Sequence, residues 1–116
     1  MKRINPFSPS VIFGFLTSFL LLVSHTVAHE HHAPHHGTLV ELGDEFAHVE
    51  LLLDPATGKL DAFILDGEAE NPIRISQADL LLKVKSRGRS SLVRLRPLAN
   101  PLTGETVGDT SQYSGT

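Results

Sequence analysis

The stretch AHVELLLDPATGKLDAFILD, residues 47–66, decides the fold of this chain. Apolar and polar residues alternate on both sides of DPATG, with Val49 and Leu51 before the turn and Ala62 and Ile64 after it. Alternation with a period of two is typical of a β-strand that buries one face. The proline of DPATG fixes φ and its glycine accepts a positive φ, which together favour a tight turn. The stretch therefore predicts an antiparallel hairpin in which these four apolar side chains are buried.

Similar patterns flank this hairpin. TLVELG (38–43) predicts a first strand, IRIS (73–76) predicts a short strand, and LLLKVKSRGRSSLVRLRPL (80–98) predicts a second hairpin that turns at RGR. After residue 28, no segment of the chain sustains helical periodicity over three turns. We therefore predict an all-β domain over residues 38–98, either a small antiparallel β-sandwich or a partly open barrel. Residues 99–116 are rich in Gly, Thr and Ser and predict a polar tail or one short edge strand.

The first 28 residues, 1–28, have the features of a signal peptide. Lys2 and Arg3 make the start positive, and residues 11–23 form an uncharged apolar run shorter than the roughly 20 residues that cross a bilayer as a helix. We expect cleavage after Ala28 and a periplasmic or secreted protein. The alternative is an uncleaved anchor that would hold the same domain at the inner membrane through residues 11–28.

The composition argues against several classes of protein. The chain has no Cys, so it can form neither a disulfide nor a thiolate metal site. It contains no Gly-x-Ser-x-Gly, His-Glu-x-x-His or phosphate-loop motif, and we do not expect an enzyme. The net charge is −3 and aromatic residues do not interleave with the basic ones, so we expect no nucleic-acid partner.

Charge is unevenly distributed along the chain. Residues 30–70 hold ten acidic residues and one basic residue, whereas residues 74–96 hold seven basic residues and one acidic residue. Facing strands of complementary charge are the simplest interpretation, because opposite charges across a strand pair stabilise a sheet. The basic side chains of the second hairpin either form a solvated sheet surface that discourages aggregation or bind an anionic partner or membrane headgroups.

Histidine is concentrated in HEHHAPHHG (29–37), which holds five of the seven histidines of the chain. Neutral imidazole is the main remaining ligand for Zn²⁺, Cu²⁺ and Ni²⁺ where thiols are absent. The candidate metal ligands are His29, His31, His32, His35 and His36, together with His48 from the predicted second strand. Cleavage before His29 would add a free amine two residues before an imidazole, a spacing suited to square-planar Cu²⁺ or Ni²⁺.

We expect residues 29–37 to be flexible, and two alternatives to a metal site remain open for this segment. It is either a flexible linker whose metal affinity is incidental or a solvating, pH-sensing tract. His48 lies on the polar face of its strand with Glu50, and an ordinary histidine of the sheet surface is the simpler interpretation for it. The sequence therefore predicts an exported domain that binds Cu²⁺ or Zn²⁺, with a non-catalytic envelope interaction module, the histidines serving as a spacer, as the alternative.

The stretch HHGTLVELGDEFAHVELLLDPATGKLDAFILDGEAENPIRI (35–75), with NPLTGET (100–106), resembles a family of small exported domains of Gram-negative-type bacteria. The family pattern contains Pro-His-Gly-Gly, Leu-Gly-Asp, His-x-Glu-Leu, Leu-Asp-Gly and Asn-Pro-Leu-Thr-Gly-Glu-Thr. Similar segments occur joined to periplasmic adaptor subunits of heavy-metal efflux pumps. The resemblance implies a role beside such a system, with a divalent metal ion and a periplasmic efflux component as partners.

The chain departs from this pattern at two points. His36 stands where the pattern has its first Gly, and a positive φ there would strain the backbone. Family members continue past the position of Thr116 with further strands. The resemblance therefore implies that the sheet lacks its last strands. The chain would then be either a short version of the family domain or the product of a truncated gene.

Overall fold

A computed structural model describes residues 31–116 of the protein, and the predicted signal peptide lies outside the described residues. The described part contains six β-strands and no helix, which confirms the all-β class. No helix within it has the length and apolarity needed to span a membrane. The strands are β1 (Thr38–Leu42), β2 (Ala47–Leu53), β3 (Leu60–Leu65), β4 (Leu80–Ser86), β5 (Arg89–Pro97) and β6 (Gln112–Gly115).

The six strands form one sheet in the order β1-β2-β3-β6-β5-β4. Every neighbouring pair is antiparallel. The sheet curls into a half-barrel, so the partly open barrel is the architecture that the chain adopts.

The hairpin over residues 47–66 is confirmed. Val49 lies opposite Ile64 and Leu51 lies opposite Ala62, so the four predicted side chains share one face of the sheet. The Asp54 carboxylate stabilises the turn by accepting hydrogen bonds from the Ala56 N–H at 2.9 Å and the Thr57 hydroxyl at 2.7 Å. Such Asx-type bonds are a physical reason why DPATG turns the chain.

The second hairpin is also confirmed, with β4 and β5 joined by Arg87 and Gly88. Both residues have positive φ values, 48° and 76°. Two-residue hairpin turns of this kind match the right-handed twist of the strands that they connect. Glycine adopts this conformation without strain, which explains its place in the turn.

The core lies on the apolar face of the sheet. Its buried members come from four strands: Val49, Ala62, Ile64, Leu95 and Tyr113. Leu51 is half-buried and packs against this cluster with Leu60, Ile73, Ile75, Leu80, Leu82 and Val93. Apolar side chains from both hairpins thus form one contiguous core, which is where the two halves of the sequence meet.

The prediction for residues 99–116 was wrong about their position. β6 is not at an edge; it lies between β3 and β5 and joins the two hairpins into one sheet. Tyr113 is fully buried, and its hydroxyl donates a hydrogen bond to the Gln77 carbonyl at 2.8 Å. The Cα of Gly115 packs against the Arg94 carbonyl so closely that a Cβ would clash. This segment is therefore structural despite its polar composition.

The short strand predicted at residues 73–76 does not form. Ile75 makes a single bridge to Thr110, and Pro72 makes one to Leu65. Pro72 has no N–H to donate to a ladder, which limits strand pairing at the start of this segment. Ile73 and Ile75 instead pack against the core, so the segment covers the apolar face of the sheet.

The prediction that acidic and basic strands face each other was also wrong. β1 to β3 carry the acidic half of the chain and β4 and β5 the basic half, and β6 separates them. Among the described residues, two arginines of the basic half form ion pairs. Arg74 contacts Asp109 at 3.3 Å and Arg94 contacts Asp79 at 3.5 Å. Neither aspartate belongs to the acidic stretch of residues 30–70. The sheet therefore has an acidic end and a basic end.

We expect Leu51→Asp to destabilise the domain by several kcal/mol, because the new carboxylate would face the core without a partner. Leu53→Asp is the matched control, since Leu53 is on the same face of the same strand and is 64% exposed. Urea unfolding followed by circular dichroism measures both. Equal stabilities of the two variants would contradict the assigned core.

Candidate functional site

The second face of β2, predicted to be a polar surface, is buried. His48 is 3% exposed and Glu50 is 0% exposed. The prediction of an ordinary surface histidine at residue 48 was therefore wrong. The alternation in β2 shows that two faces exist, but it cannot show that part of the histidine-rich segment covers one of them. The candidate site is built on this covered face.

Glu50 fixes the end of the histidine-rich segment to the sheet. Its Oε1 accepts hydrogen bonds from the backbone N–H groups of His35 at 2.8 Å and Gly37 at 2.9 Å. Its Oε2 lies 2.7 Å from His35 Nδ1. A buried carboxylate needs such donors, because an unpaired buried charge is strongly unfavourable. Residues 35–37 are consequently part of the fold, which corrects the expectation of a flexible segment extending to residue 37.

Gly37 is required by this arrangement. A Cβ on Gly37 would lie 2.5 Å from the Leu51 carbonyl oxygen and 2.9 Å from the Glu50 side chain. A larger residue would therefore push the segment away from β2 and remove the hydrogen bond to Glu50. The glycine of HHG is selected by this close approach of two backbones.

Two opposing effects set the pKa of Glu50. Burial raises the pKa of this carboxyl, but hydrogen bonds from the Gly37 backbone and from the side chain and backbone of His35 lower it further than burial raises it. The net pKa lies below the ordinary value of 4.5, and Glu50 is ionised at neutral pH. The site therefore contains a buried negative charge.

The ionised Glu50 determines the tautomer of His35. In the neutral imidazole, Nδ1 carries the proton that the carboxylate accepts, which leaves the lone pair on Nε2. The ring stacks on Phe63 with centroids 4.0 Å apart and an interplanar angle of 17°. The His35 side chain is 45% exposed, so the oriented ring remains accessible from solvent.

His31 and His48 form a pair on the same covered face. Their ring centroids are 4.9 Å apart and their planes are tilted by 58°. His48 Nδ1 lies 3.2 Å from the Asp66 carbonyl oxygen, so Nδ1 is the protonated nitrogen of the neutral ring and Nε2 holds the lone pair. His31 Nε2 is buried and has no hydrogen-bond partner, and the nearest carboxylate oxygen, Glu45 Oε1, is 3.8 Å away.

The remaining predicted ligands are not brought into this pair. His32 and His36 are exposed, and His29 lies outside the described residues. Within residues 31–116, no three His, Asp or Glu side chains are arranged to hold a metal ion. The described part of the chain thus supplies two adjacent imidazoles, and His35 as a third, separately held one.

Glu105 is a second buried carboxylate, which the sequence interpretation missed. Its oxygens accept hydrogen bonds from the Ser111 N–H at 2.8 Å, the Ser111 hydroxyl and the Thr103 hydroxyl at 2.6 Å. The Ser111 and Thr103 side chains lower the pKa of Glu105 below its ordinary value. This residue holds the loop before β6 in place and is structural. The sequence offered only a weak signal for it, an acid in a segment rich in Thr, Ser and Gly.

The chain matches no protein-family model, and comparison with curated proteins and with solved structures gives no match.

We expect Glu50→Gln to destabilise the domain by about 2–3 kcal/mol at pH 7, because an amide cannot accept all three hydrogen bonds. Since the pKa of Glu50 is lowered in the folded state, its contribution is present above about pH 4.5 and is lost as the pH falls through the folded value. The variant should lose less stability than the wild type over that range. Urea unfolding at several pH values from 7 to about 3 measures the difference.

Glu68→Gln is the control for that comparison, because Glu68 is an exposed carboxyl on a loop. It should keep the stability and the pH dependence of the wild type. Parallel pH curves for Glu50→Gln and the wild type would contradict the role assigned to this carboxylate.

His36 adopts a φ of 61°, so the strain expected at this position is confirmed. A left-handed conformation costs a non-glycine residue about 1–2 kcal/mol, part of which glycine recovers despite its greater chain entropy. We expect His36→Gly to raise the free energy of unfolding by about 0.5–1 kcal/mol. His32→Gly is the control, and an equal gain there would contradict the backbone explanation. Thermal unfolding measures both.

Proposed function

We propose that this chain is an exported protein that binds a divalent transition-metal ion through its histidine-rich segment. The sheet contributes His48 and orients His31, and further histidines of residues 29–36 complete the ligand set. The observation that carries the proposal is the His31–His48 pair, with centroids 4.9 Å apart and a buried His31 Nε2 that has no hydrogen-bond partner. A buried nitrogen without a partner is uncommon, and a bound cation would satisfy it.

The tautomers of His35 and His48 support the same proposal. A metal-binding histidine generally donates its other ring N–H to a carboxylate or a backbone carbonyl, which fixes the ring and raises its basicity. His35 has this arrangement with Glu50, and His48 has it with the Asp66 carbonyl. Both rings thus present Nε2 as the nitrogen available to a ligand. A spacer would not require this orientation.

The donor set favours copper and zinc. Imidazole nitrogens suit Cu²⁺, Zn²⁺ and Ni²⁺, and copper binds most tightly in the usual order of divalent affinities. Two rings held by the fold still require at least one further ligand, since three protein ligands are the usual minimum for zinc. His32 and His29 are the nearest in sequence to His31. The ion would remain exchangeable, because cleavage after Ala28 would place part of its ligand set at the end of the mature chain.

The physiological role that we infer is metal binding or transfer in the periplasm, beside a heavy-metal efflux system. The support is the resemblance of residues 35–75 to segments joined to efflux adaptor subunits, together with the presence of five histidines ahead of the sheet. Export is inferred from the features of residues 1–28. No catalytic step is part of the proposal.

We expect Cu²⁺ and Zn²⁺ to bind the purified chain and to raise its melting temperature, because an ion that includes His48 among its ligands binds the folded state preferentially. A metal concentration 100 times the dissociation constant would add about 2.7 kcal/mol of stability. Affinity should fall as the pH is lowered, since only the neutral imidazole binds metal. Isothermal titration calorimetry and thermal unfolding measure these effects.

Three variants make the test specific. His48→Gln should weaken binding and abolish the metal-dependent rise in melting temperature, whereas Glu105→Gln should lower stability without changing metal affinity. Replacement of the five histidines of residues 29–36 by Ala should remove binding. Unchanged metal affinity in that last chain would refute the metal proposal and leave the spacer.

A further inference from the structure

The sheet has two open edges. β1 and β4 are its outermost strands in the part of the chain that the structure describes, so the outward backbone groups of each can pair with another strand. Five antiparallel pairings separate β1 from β4, and the two edges therefore run in opposite directions. Two copies related by a twofold axis along the strands would place β4 of one copy antiparallel to β1 of the other.

The apolar face continues to both edges and is incompletely covered there. Val40 and Leu42 of β1 are 40% and 41% exposed, and Val84 of β4 is 40% exposed. These side chains lie on the core face. Val40 and Leu42 pair with the buried residues Val49 and Ala47, and Val84 is on the same face of β4 as Leu82, which packs against the core. Pairing of the edges would bury them against one another.

One register matches the apolar residues of the two edges on the core face and pairs the acid of β1 with a lysine, although it also places Leu39 opposite Lys85. When Val40 lies opposite Val84, Leu42 lies opposite Leu82 and Glu41 lies opposite Lys83. Each apolar residue then meets an apolar residue on the core face, and the acidic residue meets a basic one on the other face. All five residues of β1 find a partner within β4 in this register, so no strand end is left unpaired on the β1 side.

Charge complementarity identifies the occupant of each edge. β1 lies at the acidic end of the sheet, with Glu41 in the strand and Asp44 and Glu45 in the turn that follows it. β4 lies at the basic end and carries Lys83 and Lys85. A partner that fits one edge must have the apolar pattern and the charge of the opposite edge, and a second copy of this chain has both.

We propose that two copies of the chain close into a twelve-stranded barrel, with β1 of each copy paired to β4 of the other. The dimer proposal rests on the pattern of the two edge strands and not on the proposed metal function; because Glu41 lies opposite His48 in the β1–β2 pairing, the dimer is tested in the absence of metal. Both interfaces are formed by the same contacts, and the twofold closure leaves no free edge for further growth.

The test is the molar mass of the full chain, in the form in which it accumulates in a bacterial host, measured by size-exclusion chromatography with light scattering in the presence of a metal chelator. We expect a dimer. Glu41→Lys and the double variant Lys83→Glu/Lys85→Glu should each be monomeric, with dimer dissociation constants raised at least about 100-fold by like-charge repulsion at both interfaces.

Mixing the two monomeric variants is the decisive step. In the mixed dimer, the lysine introduced at position 41 would face the introduced glutamates at one interface, and the unchanged Glu41 would face Lys83 and Lys85 at the other. Dimers should therefore reappear in the mixture, which a folding defect cannot reproduce. Glu68→Lys is the control, because it makes the same charge change on an exposed loop and should leave the dimer intact.

Cross-linking provides a second measurement, since the chain has no cysteine of its own. Oxidation of Val40→Cys/Val84→Cys should give a covalent dimer, whereas Leu39→Cys/Val84→Cys, whose side chains lie on opposite faces, should not. A wild-type chain that is monomeric at about 100 μM, a mass that grows without limit or a mixture that stays monomeric would each overturn the proposal.

Discussion

A carboxylate cut off from solvent must be satisfied by donors within the protein, and Glu50 finds all of its donors in His35 and Gly37. This requirement pulls the end of the histidine-rich segment onto the second face of β2. The His35 ring is then oriented and stacked on Phe63, and the chain before it passes the buried His48. A β-domain with one polar face thereby becomes a domain in which both faces of β2 are covered. The rest of the candidate site depends on this one anchored charge.

The anchor also explains why the histidines differ from one another. Five similar residues occur in nine positions, yet only some of those described have their ring positions set by the fold. His35 and His48 each have a fixed tautomer, and His31 is held beside His48. His32 and His36 are exposed to solvent, and the His36 N–H donates a hydrogen bond to the Ala33 carbonyl in a turn. A compositional motif can only indicate affinity for metals in general. The contacts divide the motif into residues that the sheet organises and residues that remain available as additional ligands.

The two hairpins are predictable from the sequence because each is local: strand alternation, turn chemistry and pairing partner all lie within about twenty residues. The place of β6 is not, because its partners in β3 and β5 are distant and its sequence lacks an apolar run. The same holds for Glu50, whose donors approach from a segment that has no strand pattern. Alternation identifies the polar face of a strand, but only tertiary structure determines whether water or another segment covers that face.

The position of β6 has a further consequence for the charge distribution. Inserting a strand between the two hairpins keeps the acidic and basic halves of the chain apart, so their charges cannot neutralise each other across a strand pair within one molecule. The charges accumulate instead at opposite edges, next to apolar side chains that the sheet cannot cover by itself. An arrangement of that kind leaves each edge complementary to the other and lowers the cost of bringing two such edges together. The strand order that keeps the acidic and basic strands apart within one molecule therefore leaves their charges available to pair with those of a second molecule.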